Sequence, residues 1–353
     1  MNGGAPRSGG QEIRRFFLKT QITPDLLISC FKNSLISGLL LAGATVVTHG
    51  GPAPVVEQPA APGKLHLTAA ASSLIEQGLA AAAPTGPDAA PYQEIPSPGV
   101  RYLPSVARAT NIPWIDSNGW RFARGMRKVS YAKVPAGSAA LAAAEAFVFN
   151  VDAIINPDPK DVEDLGKMLR FLKAHEQAPL PDLVNIGVVD SPSPLLDEVL
   201  NLLTRRNLLY KVVPAPDRTL DLNVQLGTPD FPEEAAANPY DFAARVRAKL
   251  GDDKRLVRLY GTSTVIARLT GDRSRARLSL LSFSNRRQQD AGAQAGAQGI
   301  RVRLQGRYQP AKFAAYGASP EAKVSDVRHP GTTTEFWVPD FNTLAIVDLE
   351  AMK

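Results

Sequence analysis

The sequence is poor in the residues from which thiol and metal sites are built. Cys30 is the single cysteine in 353 residues, so no intrachain disulfide can form and no cysteine cluster can hold zinc or iron–sulfur. The four histidines, His49, His66, His175 and His329, are too widely spaced to supply a metal-ligand pair, so no metal and no cofactor is expected. Phosphate-cradling motifs are missing as well. No G-x-G-x-x-G follows an expected strand, no G-x-x-x-x-G-K-[ST] occurs, and no G-x-S-x-G elbow presents a serine nucleophile. What is present is ordinary globular composition, 44% hydrophobic and 21% charged, which excludes a disordered, collagen-like or coiled-coil chain. The length favours two domains, or one with a long appendage.

The net charge of +6 invites a nucleic-acid reading. One window refuses it. Between Arg101 and Lys133 seven basic residues face Asp116 alone, a surplus that matches the whole-chain total, while elsewhere the signs nearly cancel. The aromatic interleaving of a nucleic-acid surface is missing from that window, so no nucleic-acid partner is expected and the patch reads as local attraction for an anion.

Residues 1–50 read as an export signal or N-terminal anchor. Arg14, Arg15, Lys19 and Lys32 precede Asn33–Val47, an uncharged run of 15 residues, short of the roughly 20 needed to span a bilayer. General secretion is the expected route. RRFFLK, Arg14 to Lys19, resembles a twin-arginine signature, but Pro24 and Asp25 separate it from the apolar run. A periplasmic or extracellular location follows, with membrane contact only through an uncleaved N-terminal segment. Cys30 would leave with a cleaved leader. Residues 51–99 are Ala-, Pro- and Gly-rich and read as a linker, largely unstructured or polyproline-like, with a short helix over Leu65 to Ala83.

From 100 to 262 short apolar runs alternate with helical stretches. IPWID, VDAII, LVNIGVVD and YKVV read as strands. GSAALAAAEAFVFN, KDVEDLGKMLRFLKAHE and PLLDEVLNLLTRRNL read as helices, the first with a small-residue face that would pack closely against a sheet. This order predicts an α/β domain with a parallel sheet, flavodoxin- or amidotransferase-like or part of a barrel. Such sheets bind ligands at the carboxyl ends of their strands. Asp116 and Asp190 stand there as candidate catalytic acid and base, since glycosidic hydrolysis needs two carboxyl groups about 5–10 Å apart. Trp114, Asn118, Trp120, Arg121, Asn156 and Asp158 are candidate ligand-binding residues, the tryptophans because an indole can stack on a sugar ring. The same residue types also begin turns and cap helices without any ligand. Asp158 or Asp161 can cap the helix that follows VDAII. Glu145, alone among alanines, could face the sheet but is not a site by itself.

Residues 263–353 change to period two, with STVIARLTG, ARLSLLSFS, IRVRLQGRY, EFWVP and LAIVDLE separated by turns, the pattern of an antiparallel β-sandwich. Arg301, Arg303 and Arg307 should share one solvent face. Arg286 to Gly299 reads as a flexible insertion.

The tail RLSLLSFSN, IRVRLQG and EFWVPDFNTLAIVDLE resembles the β-sandwich that closes many bacterial glycoside hydrolases. VNIGVVD and NLLTRRNLLYKVV resemble the amidotransferase-like domain that follows the barrel in some β-galactosidases, where it serves assembly. The resemblance spans about 183–350 and implies a carbohydrate-associated chain. A complete catalytic barrel needs about 250 residues, and too few precede Leu183, so the barrel acids of that family have no positions here. The reading that follows is an exported carbohydrate-associated accessory or binding protein without independent catalysis. Its alternatives are a glycoside hydrolase using strand-end carboxylates and a structural envelope protein. A carbohydrate ligand is the expected partner, and a homo-oligomer is left open.

Overall fold

Alanine has the smallest side chain that still favours a helix, and the run Ala139–Phe149 uses it to place a helix between two sheets. In the computed structural model the described residues are 62–104, 111–272, 274–284 and 299–352. The expected export signal 1–50, with Cys30, and most of the Arg286–Gly299 insertion lie outside them.

The first part contains β1 (Leu65–Leu67), α1 (Ser72–Glu76), β2 (Ala81–Ala82), β3 (Gln93–Pro96), β4 (Gly99–Pro104), β5 (Asn111–Asp116), α2 (Gly119–Ala123), β6 (Lys128–Ala132), α3 (Ala139–Phe149), β7 (Asp152–Ile155) and α4 (Val162–Ala174). Five strands form a parallel sheet in the order β2-β1-β7-β6-β3. β7 is its middle strand, with Ala153 opposite Leu65 on one side and Val129 on the other. β6, α3 and β7 make one crossover unit between adjacent parallel strands.

Three expectations are corrected in this part. The 51–99 segment is not a linker from Gly63 onward: β1, β2 and β3 are members of the sheet. Its prolines do not prevent this, because they fall outside the paired interior. Pro87 starts a 3-10 turn, and Pro96 ends β3. The helix expected over Leu65 to Ala83 shrinks to Ser72–Glu76, after a 3-10 turn at Ala69–Ala71. IPWID is likewise not a strand of the parallel sheet. As β5 it pairs antiparallel with β4 in a two-stranded ribbon, Gly99 opposite Asp116. Pro113 cannot donate to a ladder, which suits such a ribbon and not a sheet interior.

α3 is apolar around nearly its whole circumference and is buried to match. One side covers the parallel sheet. The same core takes in Ile266, Leu281, Phe283, Leu344 and Ile346 from the C-terminal strands. Its ends are fixed by polar contacts. Asp161, 3% exposed, accepts from the backbone N–H of Gly137 through both oxygens at 2.7 Å and sits where the helix dipole favours an anion. Asn150 closes the other end in the left-handed conformation, φ 56°.

The second part contains β8 (Ile186–Val189), α5 (Leu195–Arg205), β9 (Tyr210–Val213), β10 (Leu222–Val224), α6 (Glu233–Ala236) and α7 (Pro239–Leu250). Its strands form a parallel sheet in the order β10-β8-β9. All four residues of β8 are buried, as its continuous apolar sequence requires. Leu196, Val199, Leu200 and Leu203 of α5 meet Phe242, Val246 and Leu250 of α7 in one core.

The third part contains β11 (Val257–Tyr260), β12 (Val265–Gly271), β13 (Arg275–Ser282), β14 (Ile300–Gln305), β15 (Tyr308–Ala315), β16 (Ser325–Arg328), β17 (Thr333–Val338) and β18 (Leu344–Ala351). Two antiparallel sheets, β11-β14-β17-β16 and β12-β13-β18-β15, share a core and form the expected β-sandwich. It starts at β11, a few residues before 263. Along β14 Ile300, Val302 and Leu304 are buried, while Arg301 and Arg303 face outward and pair with Glu335, Arg301 also with Asp326. Among the described residues no helix is long and apolar enough to cross a membrane.

Because β1 sits inside the sheet, a chain beginning at Val100 should lose its cooperative thermal transition. One beginning at Pro62 should keep it. Circular dichroism melts of the two chains check this.

Candidate functional site

The strand-end candidates are separated by the partners they take. Asp116 is chelated by Arg101, with Nε to Oδ2 at 2.6 Å and Nη2 to Oδ1 at 2.8 Å. Asp190 is held by Arg124 at 2.8 Å, and the same guanidinium reaches Asp197 at 2.6 Å. Asn156 accepts from the Thr68 hydroxyl at 2.6 Å, and Asp158 caps a 3-10 turn by accepting from Lys160 N–H. Asp161, the other expected cap for α4, serves α3 instead. Trp120 packs on the core of the second part and lies under the Arg121 guanidinium at 4.1 Å. Arg121 also donates to Asn118 Oδ1. The basic window therefore spends Arg101 and Arg124 on its own neighbourhood's acids.

Asn118 leads to a network that the sequence did not reveal. Glu145, 0% exposed, is the only charged residue among the buried positions of α3. Its Oε1 accepts from the Ser117 hydroxyl at 3.0 Å and the Asn118 N–H at 2.8 Å; its Oε2 accepts from Asn118 Nδ2 and the Tyr131 hydroxyl, both at 3.0 Å. Burial pushes the Glu145 carboxyl above the usual glutamate range, and the four donors only partly offset this. Asn118 Nδ2 also donates to the Pro96 carbonyl, so the turn after β5 is tied to both α3 and the end of β3.

That anchored turn sets the base of the β4–β5 ribbon, and Trp114 of β5 lies against the second part. The Arg205 guanidinium is stacked 3.5 Å from the centre of the Trp114 ring, and Tyr240 meets the same indole edge-on at 6.3 Å. Arg206 lies 5.2 Å over the Tyr240 ring. Arg205 and Arg206 come from the end of α5, and Tyr240 and Arg247 from α7. Gly251 then turns the chain at φ +83°, where a side chain would be strained and its Cβ would meet Asp253 Oδ1 at 2.7 Å. The turn brings Asp252 back onto Arg247, two bonds of 2.6 Å each. Arg255 follows and donates to the Arg206 carbonyl.

Arg205, Arg206, Tyr240, Arg247, Asp252 and Arg255 line a cleft of about 730 Å³ together with the apolar Pro113, Ile115, Leu202 and Leu208, Trp114 standing behind Arg205 and Tyr240. That volume is in the range of small-molecule sites, roughly 300–1,000 Å³. Four guanidiniums face one carboxylate. Arg247 holds Asp252 down to about 2, so the carboxylate is ionised at any ordinary pH. Burial depresses the Arg205 and Arg255 guanidiniums, and Arg247 adds to it at Arg255. Tyr240 is 44% exposed. Of the residues singled out in the sequence only Trp114 touches this assembly. TRR and RVRAKLGDDKR read locally as cations favouring helix C-termini; only the packing of α5 on α7 makes them one surface. Among the described residues no group of three His, Cys, Asp or Glu could hold a metal ion.

No family model and no curated protein matches the chain. Solved structures that resemble it include alpha-L-fucosidase isoenzyme 2 from Paenibacillus thiaminolyticus, at 9% identity and TM-score 0.46, over 62% of this chain and 57% of that one. A catalytic mutant of a GH42 beta-galactosidase from G. stearothermophilus aligns at 7% identity and TM-score 0.34, over 73% of this chain and 53% of the other. The chain thus spans little more than half the length of either.

Replacing Glu145 by Ala removes the acceptor of four buried hydrogen bonds and should cost about 3 kcal/mol or more in urea unfolding; Glu145→Gln, which keeps an acceptor, should cost less. Because the folded carboxyl titrates above its unfolded value, its contribution is complete below the ordinary glutamate range. It is lost as pH rises through the raised value. The unfolding free energy of the wild type should therefore fall over that interval, and the Gln variant should lack this component of the slope.

Proposed function

We propose that the protein is a carbohydrate-associated accessory or binding protein without independent catalysis, and that it takes its ligand in the cleft between β5, α5 and α7. The observation that carries this reading is Tyr240, a half-exposed ring held at the cleft by Trp114 and Arg206 with guanidinium donors beside it. A flat aromatic face suits the C–H side of a pyranose, and adjacent N–H donors suit its hydroxyls.

Cleaving a glycosidic bond by the usual route takes two carboxyl groups, one of them able to give up a proton. Among the described residues Asp252 is the only carboxylate lining the cleft. It stays ionised under Arg247, and neither Asp116 nor Asp190 lines the cleft. This supports binding without turnover. The exported location expected from Asn33–Val47 belongs to the same proposal.

A glycan array probed with the full chain and with Tyr240→Ala tests it. The wild type should retain a set of glycans that the variant holds at least about tenfold more weakly, as expected from loss of one stacked ring. No released reducing ends should appear from those glycans. Turnover would overturn the non-catalytic reading, and identical profiles would remove the ligand from this cleft.

A further inference from the structure

Arginine in excess of carboxylate is common at a protein surface, where water solvates it. The cleft differs because its excess is partly desolvated. Arg205 Nε and Nη2 and Arg255 Nε are buried atoms with no hydrogen-bond partner. Leaving such donors unmet costs free energy, and since these atoms are closed to solvent an anion in the cleft would offset that cost through the guanidinium charge and not by bonding them. Arg205 and Arg206 make no ion pair among the described residues, and Arg255 has only Asp252 Oδ1 at 3.8 Å. Asp252 is bound most closely by Arg247, through both oxygens at 2.6 Å, and balances Arg255 only from 3.8 Å. Three guanidiniums thus line one space with no close ion-pair partner, carboxylates acting on Arg205 and Arg255 only from a distance, and two of the three are backed by the Trp114 and Tyr240 rings, which hold the planes in place. Burial depresses Arg205 against the opposing pull of Tyr240, Glu198 and Asp116, and burial with the like charge of Arg247 depresses Arg255; a bound anion relieves both.

We infer that the cleft recognises an acidic saccharide, a sugar bearing a carboxylate or sulfate, with Arg205, Arg206 and Arg255 on the anionic group and Tyr240 under the ring. This rests on the carbohydrate reading above and narrows it. The Arg247–Asp252 pair positions Arg255 through the Gly251 turn and does not itself meet the ligand.

The test is calorimetric titration of the full chain with three probes: an oligogalacturonate, its neutral methyl ester, and inorganic sulfate. The acidic oligosaccharide should bind at least about tenfold more tightly than the ester, the discrimination of one charge-assisted hydrogen bond. Its affinity should fall as salt is raised. Arg206→Gln, at an exposed position, should remove most of that preference, as should Arg205→Gln, whereas Arg275→Gln, outside the cleft, should not. Circular dichroism melts confirm that each variant is folded. Equal binding of acid and ester, unchanged in Arg206→Gln, would overturn the acidic-ligand inference and leave carbohydrate binding standing. Sulfate binding with no saccharide binding would overturn the carbohydrate reading itself. Failure of all three probes to bind would overturn both.

Discussion

A helix that is buried on every side cannot turn a charge to water, and α3 carries one charge. Its alanines let the parallel sheet on one side and the β12–β18 sheet on the other approach closely, which is what makes these parts share a core. That arrangement encloses Glu145. Its oxygens must then be met inside the protein, and the groups that meet them come from two places: Ser117 and Asn118 of the turn after β5, the Asn118 side chain also reaching β3, and Tyr131 of β6. One desolvated carboxylate thereby fixes where the β4–β5 ribbon leaves the sheet. The position of Trp114, and through it of Arg205 and Tyr240, follows.

The second part is joined to the sandwich by contacts of the same kind at the far end of α5. Asn207, in the left-handed conformation at φ 53°, accepts from the Ala267 N–H at 2.7 Å and donates to the Val265 carbonyl at 3.0 Å. It behaves as a strand-edge partner supplied by a side chain. The two residues immediately before it are Arg205 and Arg206. An amide pinned to β12 therefore fixes the last turn of α5 against β5, and the cleft is bounded by elements from all three parts. Arg268 adds a second tie, donating to Asp182 and to the Val148 carbonyl at the end of α3.

The sequence made legible what depends on local periodicity. β8 reads as a covered strand, α3 as a close-packing small-residue helix and β14 as an alternating strand, and each has that form. Long-range pairing was hidden. LHL is three residues long, too short to show a period, and becomes a strand only because β7 lies ready beside it. Asp116 looks the same at the end of a parallel strand or of an antiparallel ribbon, so its setting was misread. The arginines of the cleft were hidden for a related reason: at a helix C-terminus the dipole already accounts for a cation, and nothing local says that two such ends converge. Glu145 was visible as an oddity among alanines, but its role depends on donors 14 to 28 residues away in sequence.

The placement of β1 also bears on the order in which the chain acquires its structure. β6, α3 and β7 are consecutive and close a short crossover, so their pairing costs little loop entropy. β1 pairs with β7 across a separation of 88 residues, as the Lys64–Asp152 and Thr68–Asn156 contacts mark. During synthesis from the N-terminus the first strand of the sheet emerges long before its partner exists. It can enter the sheet only after β7 has left the ribosome, and until then His66, Leu67 and the alanines beyond them are presented as unpaired chain. Among the described strands of this sheet, the one made first therefore waits for the β6–α3–β7 unit before it can be incorporated.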